Sequence, residues 1–245
     1  MVHIGIIPDG NRRWCKNNDI DYKLENLEEI WFNIFLTQLR EISINKNNKY
    51  NNIFKITDIT FYVCSIENIK RNDNTSQFIY KFIYKLIFFY SNYEKIIDEM
   101  YKNDDEKKYN KAFKFYVKSI IDNLNIIPIG SFNLLPTNIH DILLKFKNHY
   151  NPNNKYNLYL GIAYDYNKDL LNYGTKNNKY YNREYKNIDI VVRTGGELRT
   201  SGFFPCDINY SEFYFYNKYW PEITINDFEN IIFNFFNVRQ RRFGK

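Results

Sequence analysis

Short apolar runs rich in β-branched and aromatic residues recur along this chain, at 4–7, 56–63, 125–129, 157–163, 188–192 and 212–216. That is the length and composition of buried strands. Between them lie segments with helical spacing. Leu24, Leu27, Trp31, Ile34 and Phe35 form one apolar face, and Ile139, Ile142, Leu143 and Phe146 form another. A last helix is expected over 228–236, with Thr224 or Asn226 as its cap. Strands alternate with helices, without repeat or linker. This predicts an α/β fold: a single domain over residues 1–245 with a mostly parallel central sheet flanked by helices. The chain has 245 residues, enough for such a core, and its 19% aromatic content excludes a disordered chain.

Ligands of parallel sheets sit beyond the carboxyl ends of the strands. Polar clusters follow three of the apolar runs, at 9–13, 65–68 and 193–201. The first reads Asp9-Gly10-Asn11-Arg12-Arg13. Free backbone N–H groups and arginines suit a phosphate, and a cation such as Mg²⁺ would bridge the carboxylate to it. A plain Asp-Gly turn is the competing reading. In the third cluster, Arg193, Arg199 and Ser201 flank the Gly195-Gly196 pair, and guanidinium forks with a hydroxyl suit a second diphosphate. Glu212 opens an aromatic strand, either as a solvated edge residue or as a second metal ligand facing Asp9. The basic tail 239–244 reads as a solvated terminus or a weak nucleic-acid contact.

Other stretches say less. Residues 78–90 are apolar nearly all round, so a helix there is expected to be buried on several sides, as core or as the lining of a cavity. Residues 70–77 read as a loop and 101–108 as a charged surface turn or helix extension. Net charge is +6, which suits anionic ligands in general without choosing one. Cys15, Cys64 and Cys206 are widely spaced and odd in number, as in a reducing compartment. The first residues lack a basic-then-apolar signal pattern. A cytoplasmic protein is therefore expected.

In chain order the motifs are DGNRRW at 9–14, YVCSIEN at 62–68 with Arg71 beyond, RTGGELRTSGFF at 193–204, YSEFYF at 210–215, WPE at 220–222 and RQRRFG at 239–244. Together they resemble the cis-prenyltransferases, typified by undecaprenyl diphosphate synthase. The resemblance implies an α/β domain with a hydrophobic tunnel, lined by the helix over 78–90, and Mg²⁺-dependent condensation of isopentenyl diphosphate with an allylic prenyl diphosphate such as farnesyl diphosphate. Asp9 would hold Mg²⁺, and Glu212 would complete the metal site. Gly10, Asn11, Arg12 and Arg13 would cradle the allylic diphosphate. Arg193, Arg199 and Ser201 would grip that of isopentenyl diphosphate. Ser65 and Asn68 would lie between the substrates, Asn68 near the proton that is lost, with Arg71 in the substrate-binding set. Arg242 and Gly244 match a carboxyl-terminal motif that reaches the partner's site in a homodimer. The greasy product implies peripheral membrane contact. No nucleic-acid partner is expected.

Departures from the family pattern cluster on the allylic side. Pro8 replaces a methionine, Tyr22 an arginine, and Glu25 to Glu29 a Gly-His-x-x-Gly stretch; Ile69 replaces an aromatic residue, and Cys206-Asp207 a Trp-Gln pair. A different allylic affinity or substrate is expected. The Asn-Tyr-Gly-Gly-Arg stretch is echoed by Asp165-Tyr166-Asn167, and the short segment before 188 predicts trimmed helices. Tunnel-floor bulk falls at Val63, Phe82, Leu86 and Ile127, which leans towards a short or medium product. The alternatives are a short-chain or irregular-condensing synthase, and a non-catalytic subunit of a two-chain enzyme. The second fits less well, because Asp9, Arg193, Arg199 and Glu212 are all present.

Overall fold

Val2–Ile7 forms β1, and every residue of it is buried, as an apolar run interrupted only by His3 requires of a central strand. The computed structural model describes residues 1–21, 52–71, 74–100, 107–175 and 184–237. Around β1 lie β2 (Ile56–Tyr62), β3 (Leu124–Ile129), β4 (Tyr156–Gly161), β5 (Ile190–Arg193) and β6 (Glu212–Phe215). They form one six-stranded sheet in the order β3-β4-β2-β1-β5-β6. Every pairing is parallel. The strands expected from the sequence are these, to within two residues at each end.

Among the described residues the helices are α1 (Asn11–Asn17), α2 (Ile66–Lys70), α3 (Asn74–Met100), α4 (Lys107–Ile121), α5 (Thr137–Asn148), α6 (Tyr166–Thr175) and α7 (Ile225–Asn237). Helices α3, α5 and α7 cover one face of the sheet. Ile79 and Ile83 of α3 pack with Leu143 of α5 against Ile126 and Leu160. Ile231, Ile232 and Phe235 of α7 pack against Ile4, Ile6, Ile190 and Val192. On the other face, Phe203 and Phe204 lie against Ile7, Tyr62, Tyr164 and Val191, with the Phe204 ring stacked 4.2 Å from that of Tyr164. Thr224 caps α7: its N–H and hydroxyl donate to the Asp227 carboxylate at 2.8 and 3.0 Å. Asn226 lies inside that helix.

Several expectations need correction. Within the expected loop 70–77, residues 74–77 are helical, since α3 starts at Asn74, and Ser76 is already fully buried. The stretch 78–90 is two-faced: Ile79, Ile83 and Phe89 are buried, whereas Tyr84 and Phe88 are about half exposed, at 49% and 54%. Only one side of α3 meets the sheet. Of the expected tunnel floor, Val63 and Leu86 do lie on the α3 side, and there they pack into the apolar cluster. Ile127 faces the opposite side of the sheet. Among the described residues, the buried side chains between α3 and the sheet belong to that cluster. The helix through Leu24 and Phe35, the departures at Tyr22 and Glu25 to Glu29, and the tail with Arg242 and Gly244 lie outside the described residues.

Candidate active site

The strand order determines where a ligand can enter. After β1 the chain runs to β2 on one side of it, and after β5 to β6 on the other. Connections that diverge from neighbouring strands open a crevice at their carboxyl ends. The two polar clusters 9–13 and 193–201 flank that crevice. Asp9 follows β1, and Arg193 ends β5 opposite Ile7.

Their side chains meet. Arg193, only 4% exposed, donates from Nη2 to Asp9 Oδ2 at 2.7 Å. Its Nη1 donates to the Ser201 hydroxyl at 2.8 Å and to the Arg199 carbonyl. Its Nε is buried with no hydrogen-bond partner among the described residues. A buried charged donor left open this way is suited to an incoming anion. The Thr194 hydroxyl ties the two loops together, donating to the Asp9 carbonyl at 2.7 Å and accepting from the Asp9 N–H at 2.8 Å.

Asp9 Oδ1 accepts the Gly10 N–H at 2.6 Å. Gly10 sits at φ +95°, and a Cβ there would meet Tyr219 at 2.5 Å, so the loop needs glycine on both counts. Trp220 N–H donates to the Asp9 carbonyl at 3.0 Å, so the Trp220–Glu222 turn braces the loop from below. Arg13 lies one helical turn on, 3.6 Å from Asp9 Oδ1 and 3.6 Å from Glu197 Oε1, over the Tyr219 ring. Gly195 makes room for it: a Cβ there would come within 2.8 Å of Arg13 Nη2. Arg199 Nη1 donates to Glu197 Oε2 at 2.5 Å. Arg12 is exposed on α1.

Ser65 and Asn68 stand at the carboxyl end of β2, beside β1, and are bonded to each other. The Ser65 N–H and hydroxyl both donate to Asn68 Oδ1 at 2.9 Å, and Ser65 Oγ accepts the Asn68 N–H, a reciprocal cap on α2. Tyr62 links this end to the third cluster by donating to the Ser201 carbonyl at 3.3 Å. Arg71 is exposed at the end of α2. Burial pushes the neighbouring Cys64 thiol up to about 12, which leaves it chemically inert.

Glu212 is elsewhere. It opens β6 opposite Ile190, whereas Phe215 is opposite Arg193. Three residues of strand, about 10 Å, separate its register from the crevice. The structure does not bring Glu212 beside Asp9 within one chain. Among the described residues no group of three or more His, Cys, Asp or Glu side chains forms a metal cage. The residues still suit Mg²⁺. Asp9 is one-third exposed, and Asn11 in the same loop has a buried Oδ1 with no partner among the described residues. Mg²⁺ takes one or two carboxylates and completes its shell with water and phosphate oxygens. A separate cleft of about 280 Å³ lies against β3, between Ile127, Tyr159, Tyr150 and Lys186, and shares no residue with this crevice.

The model of the family described as putative undecaprenyl diphosphate synthase matches residues 7–244. The chain belongs to this family. It is a prenyltransferase. A Thermoplasma acidophilum relative, tritrans,polycis-undecaprenyl-diphosphate synthase (geranylgeranyl-diphosphate specific), is 30% identical over 271 residues, covering 99% of this chain and 88% of that protein. An isoprenyl transferase of Rickettsia prowazekii is 27% identical over 262 residues, covering 100% of this chain and 98% of the other. The solved lavandulyl diphosphate synthase from Lavandula x intermedia, in complex with dimethylallyl diphosphate, shares the fold with a TM-score of 0.64 at 18% identity, over 99% of this chain and 98% of that one.

Within this prenyltransferase, sequence reasoning passed over Thr194, Glu197 and Tyr219. The first two stand inside the RTGGELRTSGFF motif, but the bond that gives each its place spans about 185 residues of chain. Tyr219 precedes the WPE corner, with nothing local to mark it as the floor under Gly10.

Proposed function

We propose that this chain condenses isopentenyl diphosphate with an allylic prenyl diphosphate to extend a cis-prenyl chain, assisted by Mg²⁺. One observation carries the reading. Two cationic sets, Arg193 with Arg199 and Ser201 on one side and Gly10 to Arg13 on the other, flank the carboxylate of Asp9 at the diverging point of the sheet. Two diphosphates held there would have their reacting carbons in reach of each other, which removes much of the entropic barrier. Asp9 and the Asn11 oxygen would hold Mg²⁺, which as a bound cation stabilises the charge that grows on a departing diphosphate. Arginine N–H groups do the same from the protein side. Asn68, fixed by its bond to Ser65, would stand where the proton is lost.

The test is incorporation of labelled isopentenyl diphosphate with dimethylallyl, geranyl, farnesyl and geranylgeranyl diphosphate in turn, with and without Mg²⁺, and with Asp9→Ala. Mg²⁺-dependent product that vanishes in the variant supports the reading. A folded protein that turns over none of the primers refutes it.

A second reading, a short-chain product, draws on the packed cluster between α3 and the sheet. The product length in the same assay separates the two. Self-pairing is supported by exposed Leu170, Leu171 and Tyr173 on α6 and by the place of β6 at the edge of the sheet among the described strands, and sedimentation equilibrium measures it. The three cysteines are free and buried, in keeping with a cytoplasmic setting, and among the described residues no helix is long and apolar enough to cross a membrane.

A further inference from the structure

The geometry points to Glu197 as a positioning residue that holds one arginine of each diphosphate site, Arg13 and Arg199, with a single forked carboxylate; this rests on the condensation reading above. Oε1 faces Arg13 Nη1 at 3.6 Å and Oε2 accepts from Arg199 Nη1 at 2.5 Å. The two arginines come from different segments, Arg13 from α1 after β1 and Arg199 from the loop after β5. No other acid among the described residues touches both.

Exposed ion pairs usually contribute little to stability. Three features set this one apart. Glu197 is the least exposed of the three side chains, at 32% against 44% for Arg13 and 63% for Arg199. Arg13 is also confined by Asp9, by the Tyr219 ring and by the bare backbone of Gly195. A guanidinium has five donors in a rigid fork, so one end bound to Glu197 leaves the rest for a diphosphate.

Arginine is among the most rotatable side chains, and ordering it in advance removes a cost from ligand binding. Each pre-ordered side chain is equivalent to about two- to tenfold in affinity. The carboxylate charge works the other way, by repelling an anion. Its two guanidinium partners already neutralise it, and solvent screens what remains, so positioning outweighs repulsion.

The experiment compares wild type, Glu197→Ala and Glu197→Gln with Mg²⁺, measuring KM for each substrate and kcat, with thermal melts as the folding check. In Glu197→Ala both KM values rise about two- to tenfold, with kcat changing less. Glu197→Gln, which keeps one acceptor oxygen, rises less. A merely structural role would lower the active fraction and leave both KM values alone. Movement of one KM only, of neither, or a fall in KM in Glu197→Gln overturns the proposal. Calorimetric binding of inorganic pyrophosphate to the same proteins keeps the test independent of turnover. Affinity weakened in Glu197→Ala supports the bridge even where wild type is inactive, and unchanged affinity rejects it. Wild-type turnover alone decides the condensation reading.

Discussion

The Thr194 hydroxyl is bonded to both backbone polar groups of Asp9, accepting from its N–H at 2.8 Å and donating to its carbonyl at 2.7 Å. Thr194 is fully buried, so water cannot replace those bonds. Thr194→Val keeps the shape and removes both. It should destabilise the fold by about 1–3 kcal/mol and reduce turnover, while Thr194→Ser stays near wild type. Urea unfolding with parallel rate measurements checks this. A Val variant as stable and as fast as wild type would show the clamp to be idle.

Asp9→Ala removes the partner of a buried guanidinium. Cutting one side of a buried pair costs more than the pair contributed. With Asp9 one-third exposed, the loss of stability should be about 1–3 kcal/mol. Activity should fall at least about a hundredfold, the scale seen when a transition-state charge loses a fixed partner. Asp9→Asn should recover much of the stability and little of the activity. Equal recovery of both would make Asp9 a structural residue only.

Gly195→Ala places a methyl group 2.8 Å from Arg13 Nη2 at a backbone φ of +83°. The left-handed conformation alone costs about 1–2 kcal/mol. Arg13 must also move, so KM for the allylic substrate should rise more than KM for isopentenyl diphosphate. Steady-state kinetics with each substrate varied in turn will reveal any such asymmetry.

His3 sets a pH dependence away from the site. It is 8% exposed, with Nδ1 3.1 Å from the Asn187 carbonyl and Nε2 2.8 Å from the Thr60 hydroxyl. A carbonyl only accepts, so Nδ1 carries the hydrogen and Nε2 accepts from Thr60. Burial pulls its pKa below 6.5, opposed by Asp58, the Asn187 carbonyl and Asp189 and assisted by Lys186. The unfolded chain therefore binds this proton more readily than the folded one. Stability should be steady above the unfolded value and decline as pH falls below about 6.5. Melting temperatures from pH 8 to 5 should show that decline, shallower in His3→Gln. A parallel slope in both proteins would assign it to other groups.

Cys15, Cys64 and Cys206 are free and buried. A thiol reagent should label none of them in the native protein and all of them on unfolding. Rapid native labelling would mean that the core around Cys64 opens easily.

Strands β1 and β5 were the most legible because each is a short apolar run buried along its whole length. Helix α4 left no comparable trace, since lysines recur through Lys107–Ile121 and, among its described side chains, Phe113 and Val117 are the buried ones. The start of α3 was hidden because its first turn is polar. Asp9 and Arg193 were recognisable as site residues from their place after apolar strands. Their direct bond was not, because it depends on β1 and β5 being neighbours. Glu212 shows the converse. Residue type suggested a ligand, but only the register reveals that it stands at the far end of its strand.

Of the six described strands, the one that comes first along the chain is completed almost last. Val2–Ile7 lies at the middle of the sheet, and Ile4 pairs with Ile190. At about 5–20 residues per second, synthesis takes about 10–40 s to deliver that neighbour. Throughout this interval one whole side of a greasy strand lacks its mate. A nascent chain of this kind is a natural client for a holding chaperone, and any fragment ending before β5 would emerge with its central strand open to other chains.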